Sequence, residues 1–419
     1  MADAVDAVDA ASTEEPGRPM ESTRAVEPGS EGVDGAGDAL IGRGGRRLRV
    51  LHIGKFYPPH LGGMETHLQA LCGRLAEHVD VRVLVSADGR RTTREVAGGV
   101  PVTRVGTPAT LASAPINPGM AREIRGADAD MVHLHHPNPT ATLSYLASGH
   151  RGPLVITYHS DVVRQRVLGA AFGPLLEAVM RRATTVIASS PDYLASSPVL
   201  RRHAARCRVV PFGIRPEDFE RPDPEAVRRL REAYGPRVVL GVGRLVYYKG
   251  FQYLVRAMGG LDAHLVLAGA GPERAALERL AGEPGIAGKV TFAGTPADLV
   301  PLYHAADVFV LPAVARSEAF GLVQLEAMAS GMPVVNTAID SGVPFVSRHG
   351  QTGLTVPPAD SAALADAVRT LLDDAPLRAG LGAAARRRVR TEFSQDAMVR
   401  RTLDVYRDAA RALSAARTS

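Results

Sequence analysis

Two tandem series of short apolar runs constrain what this chain can fold into. The first holds RVLHIG (49–54), VDVRVLVSA (79–87), VPVTRVG (100–106), MVHLHH (131–136), LVITYH (154–159), TTVIAS (184–189) and RVVPFG (208–213). The second starts at 238 with VVLGVG and continues through HLVLAG, VTFAG, VFVLP, PVVNT and GLTVPP. Helical segments lie between most members. Short apolar strands alternating with helices predict parallel sheets covered on both faces. Two such series predict an α/β chain of two doubly wound domains, which the length of 419 residues accommodates. The expected boundaries are an acidic, disordered tail at 1–45, a first domain at 46–215, a second at 216–394 and a final helix at 395–419. The connector 214–236, rich in Pro, Glu and Arg, reads as a hinge, and helices are expected at 361–373 and 376–391.

Bulk properties narrow the class. The hydrophobic content of 45% is enough for full cores. The tail lacks the basic start and apolar core of a secretory signal. No apolar run reaches the ~18–20 residues of a spanning helix. The expected compartment is the cytoplasm, with no membrane span and a peripheral contact left open. Cys72 and Cys207 sit in apolar segments and are expected to be reduced core residues. The net charge is +5, and the Arg clusters at 90–94, 201–206 and 386–390 read as solvated faces, with no nucleic-acid motif beside them.

The stretch SEAFGLVQLEAMASGMPVV (317–335) carries the most chemistry. Glu318 and Glu326 stand eight positions apart, a little over two helical turns, so both carboxylates are expected at one cleft. Paired carboxylates suit a hydroxyl-rich ligand, and the N–H groups of a helix start suit an anion; a solvated surface pair is the alternative. In RLVYYKGF (244–251), Arg244 and Lys249 flank a loop after a strand, where they suit phosphate. The motifs named here fall just after strands, on the edge where open sheets bind ligands.

These motifs, together with GKFYPPHLGGMETHL (54–68), Thr157-Tyr158-His159-Ser160, VPFGI (210–214), LAGAGPE (267–273) and GLTVPP (353–358), occur in one order over residues 48–395. The set resembles the retaining glycosyltransferases of family 4. That resemblance implies the GT-B architecture, two Rossmann-like domains facing across a cleft, with the last helix crossing back to the first domain. It implies a nucleotide-diphosphate sugar as donor. Arg244 and Lys249 would neutralise the leaving diphosphate in place of a metal, helped by N–H groups at Phe320, Gly321 and Leu322 and by backbone at Gly62 and Gly63. Glu318 would contact the donor sugar, Glu326 the ribose, backbone near Phe292 and Gly294 the base, and His159 the donor sugar. No cofactor is expected beyond the donor. The stereochemical outcome would be retention.

For the acceptor, a small soluble hydroxyl compound is favoured. Lookalikes of GGMETH and YYKGF fall in two groups, one building surface polysaccharide with mannose or similar sugars, the other moving N-acetylglucosamine from UDP to a 2-deoxystreptamine-like aminocyclitol. The absence of Trp and of a lipid-docking helix, with Ala-, Arg- and Gly-heavy usage suiting a high-GC actinobacterial genome, favours the second. Glu65 and Asp161 are candidates to meet a cationic acceptor, against Arg164 and Arg166; Asp161 is equally a helix cap. Asp128 and Asp130 form D-x-D, read as a cap or turn rather than a metal site. His133 and His135 share a strand face without an apparent third ligand and read as packing; His67 reads as packing too. A nicotinamide dehydrogenase would need G-x-G-x-x-G after the first strand, where GKFYPPHLGG stands. A nucleotide-sugar hydrolase or epimerase, and a non-catalytic binder, remain as competitors.

Overall fold

The computed structural model describes residues 39–418 apart from 43–44, 61, 112–113 and 162–165, so residues 1–38 of the tail expected at 1–45 lie outside the described residues. Ten strands belong to the first half: β1 (Arg49–Ile53), β2 (Asp80–Ser86), β3 (Thr93–Ala97), β4 (Val100–Val105), β5 (Ala109–Leu111), β6 (Ala114–Ile116), β7 (Met131–His136), β8 (Leu154–Tyr158), β9 (Thr185–Ala188) and β10 (Cys207–Val209). Eight of them form one sheet in the order β10-β9-β8-β7-β1-β2-β4-β3. The second half supplies β11 (Val238–Val242), β12 (His264–Ala268), β13 (Val290–Gly294), β14 (Val308–Leu311), β15 (Val334–Thr337) and β16 (Gly353–Val356), in the order β13-β12-β11-β14-β15-β16. All pairings of the second sheet are parallel. In both sheets the order reverses beside the first strand of its series, so each half is doubly wound, as the alternation of apolar runs demands.

The structure departs from the sequence reading at four places. β3 pairs antiparallel with β4, joined through Gly98 and Gly99, both at positive φ. Its residues TREVA are mostly exposed, so no apolar run announced it; the Gly-Gly turn was the available signal. β5 and β6 form a separate small hairpin. Ordered chain begins upstream of Leu48: Leu40 donates to His78 O and accepts from Leu48 N, and it packs against the first core. The connector contains a helix, Pro224–Tyr234, capped by Asp223.

The last helix, Gln395–Thr418, returns to the first sheet. Its Met398, Val399, Leu403, Tyr406 and Ala409 are buried among Val50, Leu68, Leu71 and Val81. The two stretches that pass between the sheets are joined there: Ile214 N donates to Phe393 O at 3.0 Å and Gln395 N to Ile214 O at 2.7 Å. Cys72 and Cys207 are free thiols, both buried. No helix among the described residues is long and apolar enough to cross a membrane.

The charged segments also differ from expectation. Arg386 donates to the carbonyls of Ala329 and Ser330, and buried Arg388 to those of Phe345 and Val346, so this part of the 386–390 cluster fastens helix ends instead of facing water. Asp128 and Asp130 both pair with Arg49. Asp130 accepts from Arg49 N, Nε and Nη2 at 3.1, 3.1 and 2.9 Å, which locks the start of β1. Burial pushes the Asp130 carboxyl up, but the hydrogen bonds and charge of Arg49 outweigh it and hold the carboxyl below its ordinary value of 3.8. A carboxyl depressed on folding stabilises above its unfolded pKa, and that contribution is lost as pH falls through the folded value. Arg49→Ala leaves a buried carboxylate unpaired and is expected to cost about 3 kcal/mol at pH 7, less at pH 3. Urea unfolding at the two pH values checks this; equal losses at both would exclude the charge-pair account.

Candidate active site

The second domain supplies the cationic loop. β11 ends at Val242, and Gly243 follows with φ 143°. The Lys249 stem crosses this glycine: a Cβ at Gly243 would lie 3.1 Å from Lys249 Nζ and 3.2 Å from its Cε. A short turn, Tyr247–Lys249, ends at Gly250 with φ 69°, where any Cβ would collide with the Pro312 carbonyl. Lys249 Nζ is thereby held 2.7 Å from Glu318 Oε2, with both side chains about 90% buried (10% and 11% exposed). Arg244 is exposed and forms no ion pair among the described residues.

The two glutamates meet, but not by helical periodicity. The helix Leu322–Ala329 starts only after Gly321, whose φ of 76° breaks the chain direction, so Glu318 stands in the preceding loop. A Cβ at Gly321 would press on Leu311 Cδ2 at 2.7 Å and Gln324 Nε2 at 2.9 Å. Glu326 lies on the helix and accepts from Tyr303 OH at 2.6 Å. Burial raises the Glu326 carboxyl, while the Tyr303 hydrogen bond and the Lys249 charge pull it down. Lys249 is thus bonded to Glu318 and near enough to Glu326 for its charge to act there. The helix start carries no side-chain cap, so its first N–H groups at Leu322 and Val323 lack a capping acceptor. Phe320 is buried against Phe212 and Phe393, with ring centroids 5.0 and 6.0 Å away.

Across the cleft, the loop after β1 opens the helix Gly63–Leu75. A Cβ at Gly63 would sit 3.8 Å from Leu322 Cδ1, so the glycine pair of the first domain faces the helix start of the second. Glu65 folds back over Gly62, where a Cβ would collide with its Oε2. Lys55 was not singled out from sequence. It is half-buried; burial lowers its ammonium pKa, Glu65 raises it and Arg244 of the opposite domain lowers it. The cleft thus carries three cations, Lys55, Arg244 and Lys249. The polar Lys in GKFYPP, directly after a buried strand, was the missed signal.

His159 is buried directly after β8, its ring tilted against Phe212 and edge-on to His67, each at 5.2 Å. Burial holds its imidazole well below its ordinary pKa, so it is neutral at pH 7. Among the described residues, Asp161 is neither a free carboxylate nor a helix cap. It accepts from Tyr158 OH at 2.8 Å and Ser197 Oγ at 2.9 Å, and pairs with Arg316 of the second domain at 2.8 Å. Arg164 and the side chain of Arg166 lie outside the described residues. On β13, the edge strand, Arg274 lies over the Phe292 ring at 5.3 Å, and the Gly294 carbonyl accepts from Gly269 N at 2.5 Å.

The histidines of MVHLHH gain partners that sequence did not show. Register sets His133 opposite His52 and His135 opposite Thr157. Ring nitrogens of His52, His133 and His135, and separately of His67, His135 and His159, fall within 4.8 Å of one another, so third histidines do stand near the pair. Burial holds His52 and His67 at about 3.

Residues 61–218 match the family model "Glycosyltransferase Family 4", and residues 223–388 match "Glycosyl transferases group 1". The chain is 34% identical to D-rhamnosyltransferase WbpZ of Pseudomonas aeruginosa, over 83% of this chain and 92% of the relative. It is 32% identical to the GDP-mannose-dependent alpha-(1-6)-phosphatidylinositol monomannoside mannosyltransferase of Mycobacterium tuberculosis, over 87% of this chain and all of the relative. The structure of sucrose-phosphate synthase from Thermosynechococcus elongatus superposes with a TM-score of 0.72 at 25% identity, covering 87% of this chain and 100% of that one. With two doubly wound domains, a cleft lined by their strand ends and full-length likeness of this order, the chain belongs to the family 4 glycosyltransferases of GT-B fold.

Proposed function

We propose that this glycosyltransferase moves a manno-configured hexose from a GDP-linked donor to a hydroxyl acceptor with retention, and that protein cations stand in for a metal at the diphosphate. The buried Lys249–Glu318 pair carries this reading. It sets a cation and a carboxylate side by side, one pole for phosphate oxygens and one for sugar hydroxyls. The uncapped helix start at Leu322 and the facing Gly62–Gly63 loop add N–H donors on either side. Arg244, exposed and unpaired among the described residues, has its guanidinium available for the diphosphate, and Lys55 adds charge from the first domain.

In the proposed step the anomeric C–O bond to the diphosphate breaks and a bond from the acceptor oxygen to the same carbon forms on the same face. The acceptor proton passes to the departing phosphate oxygen. Charge develops on that oxygen, so cations preorganised there lower the barrier without solvent reorganisation. Neutral His159 donates to or accepts from a donor-sugar hydroxyl. Glu326 takes the ribose hydroxyls, and backbone at Phe292 and Gly294 faces the base.

The manno donor is supported by the relatives named for D-rhamnosyl and GDP-mannose-dependent mannosyl transfer, and a glycolipid acceptor by the second, named for phosphatidylinositol monomannoside. The aminocyclitol acceptor loses a physical argument: Asp161, one of the two carboxylates for its ammonium groups, is already engaged by Tyr158, Ser197 and Arg316. Incubation with GDP-mannose, GDP-D-rhamnose and UDP-N-acetylglucosamine, each with lipid-linked saccharides and 2-deoxystreptamine, read by mass spectrometry, decides between them. Turnover confined to UDP-N-acetylglucosamine and 2-deoxystreptamine would reverse the choice.

Two further outcomes are expected. Glu318→Gln weakens hydrogen bonds worth about 1.5–3 kcal/mol, so kcat should fall on the order of ten- to hundredfold while thermal unfolding stays cooperative; wild-type turnover would remove Glu318 from the mechanism. Lys249→Met should lower kcat by about a hundredfold or more, and EDTA should leave the wild-type rate intact. Complete loss in EDTA, restored by magnesium, would show that a dication neutralises the diphosphate.

A further inference from the structure

Behind His159 runs a continuous buried hydrogen-bond chain that the transfer reaction as described does not use. Thr157 Oγ1 bonds His133 Nε2 at 2.7 Å, and His133 Nδ1 bonds Tyr406 OH at 2.7 Å. Tyr406 OH bonds His52 Nε2 at 3.0 Å, His52 Nδ1 bonds His135 Nε2 at 3.1 Å, and His135 Nδ1 bonds His159 Nε2 at 3.0 Å. Every member is buried. Five come from three adjacent strands or the residue after one; Tyr406 comes from the last helix.

Proton bookkeeping makes this chain a unit. A neutral imidazole has one N–H and one lone pair, and a phenol has one O–H. Each link needs one proton, so once any ring chooses its tautomer the others must follow. Only two polarities satisfy all five links and also leave no buried hydroxyl proton without an acceptor. In one, Thr157 donates inward and His159 carries its proton on Nδ1; in the other, His159 donates Nε2–H to His135 and keeps a lone pair on Nδ1. A mixed order sets two protons or two lone pairs face to face or, if it reverses at Tyr406, leaves that O–H without an acceptor in a buried site. The Nδ1 of His159 has no protein partner among the described residues, so this ring edge is the one left for a ligand.

We propose that Tyr406 is a positioning residue for His159: through His52 and His135 it fixes whether the cleft histidine offers the donor sugar an N–H or a lone pair. The role rests on the reading of His159 as the donor-sugar contact. It links that contact to the helix that closes the fold, since Tyr406 reaches the chain only when the last helix is seated on the first sheet. Ring nitrogens of His135 and His159 also come within 4.8 Å of one on His67, whose two ring nitrogens lack partners among the described residues. A cation there would take a ring lone pair from His135 and from His159 and so compete with the proton the chain holds between them.

Tyr406→Phe removes one hydroxyl and two links. The test is nitrogen NMR of the full-length protein labelled at its 13 histidines, with the His159 resonance assigned by its loss in His159→Gln. The wild type should show one tautomer at His52, His135 and His159, and Tyr406→Phe a mixture. In the same variant kcat should fall about tenfold, with the donor KM changed less than twofold. Leu403→Ala, on the same helix, is the packing control: it should lower the melting temperature and leave both the tautomer and kcat at wild-type values. Should Tyr406→Phe fail to fold, His52→Gln breaks the chain one link nearer the cleft and the same readouts apply. A single wild-type tautomer retained in the variant, a Leu403→Ala rate loss equal to that of Tyr406→Phe, or a stoichiometric zinc ion on His67, His135 and His159 would each overturn the proposal. Full activity of His159→Gln would instead remove the donor-contact reading, because the spectra report the coupling without reference to turnover.

Discussion

The cleft depends on how the chain passes between its two sheets. It crosses twice, near 214 and near 394, and the crossings are bonded to each other through Ile214, Phe393 and Gln395. Gly213 is required beside them, because a Cβ there would collide with the Ser394 carbonyl. Two hydrogen-bonded strands of linker restrict relative motion of the halves far more than one flexible connector does. The last helix then buries Met398, Leu403 and Tyr406 in the first core, so the second crossing is anchored on both sides.

On that frame, site geometry is set by backbone more than by side-chain choice. Gly243, Gly250 and Gly321 all have positive φ, and each makes room for a specific neighbour: the Lys249 stem, the Pro312 carbonyl, and Leu311 with Gln324. The outcome is a buried ion pair. Such a pair contributes little net stability, because desolvation offsets the attraction. Its retention at a sheet edge fits a binding role better than a folding role. That pair lies within the second domain, whereas the Asp161–Arg316 pair makes an ionic contact across the cleft, near His159.

Much of the fold was legible from local pattern. VTFAG and MVHLHH form strands with the expected bounds, and helices span Ser361–Asp373 and Ala375–Glu392. These segments carry their signal in period and length. β3 was hidden because its exposed residues have no apolar run, and the helix Pro224–Tyr234 was obscured by the Pro- and Arg-rich composition around it. At the site, Glu318, Glu326 and Lys249 do converge, but the two-turn helical spacing used to predict it was the wrong cause. Lys55 went unseen since one lysine in a proline loop has no periodicity to mark it.

The amino-acid sequence by itself determined the alternation of strands and helices, the family motifs and the identity of the charged groups, because these are written in neighbouring residues. Only the tertiary structure decided which of those groups meet. Glu318 stands beside Lys249, 69 positions away, and Tyr406 beside His52, 354 positions away. Arg49 claims both aspartates of the D-x-D, and Arg316 claims Asp161. The physical reason is that hydrogen bonds and ion pairs act over about 3 Å, and only the packing of sheets and helices brings residues so distant in sequence within that range.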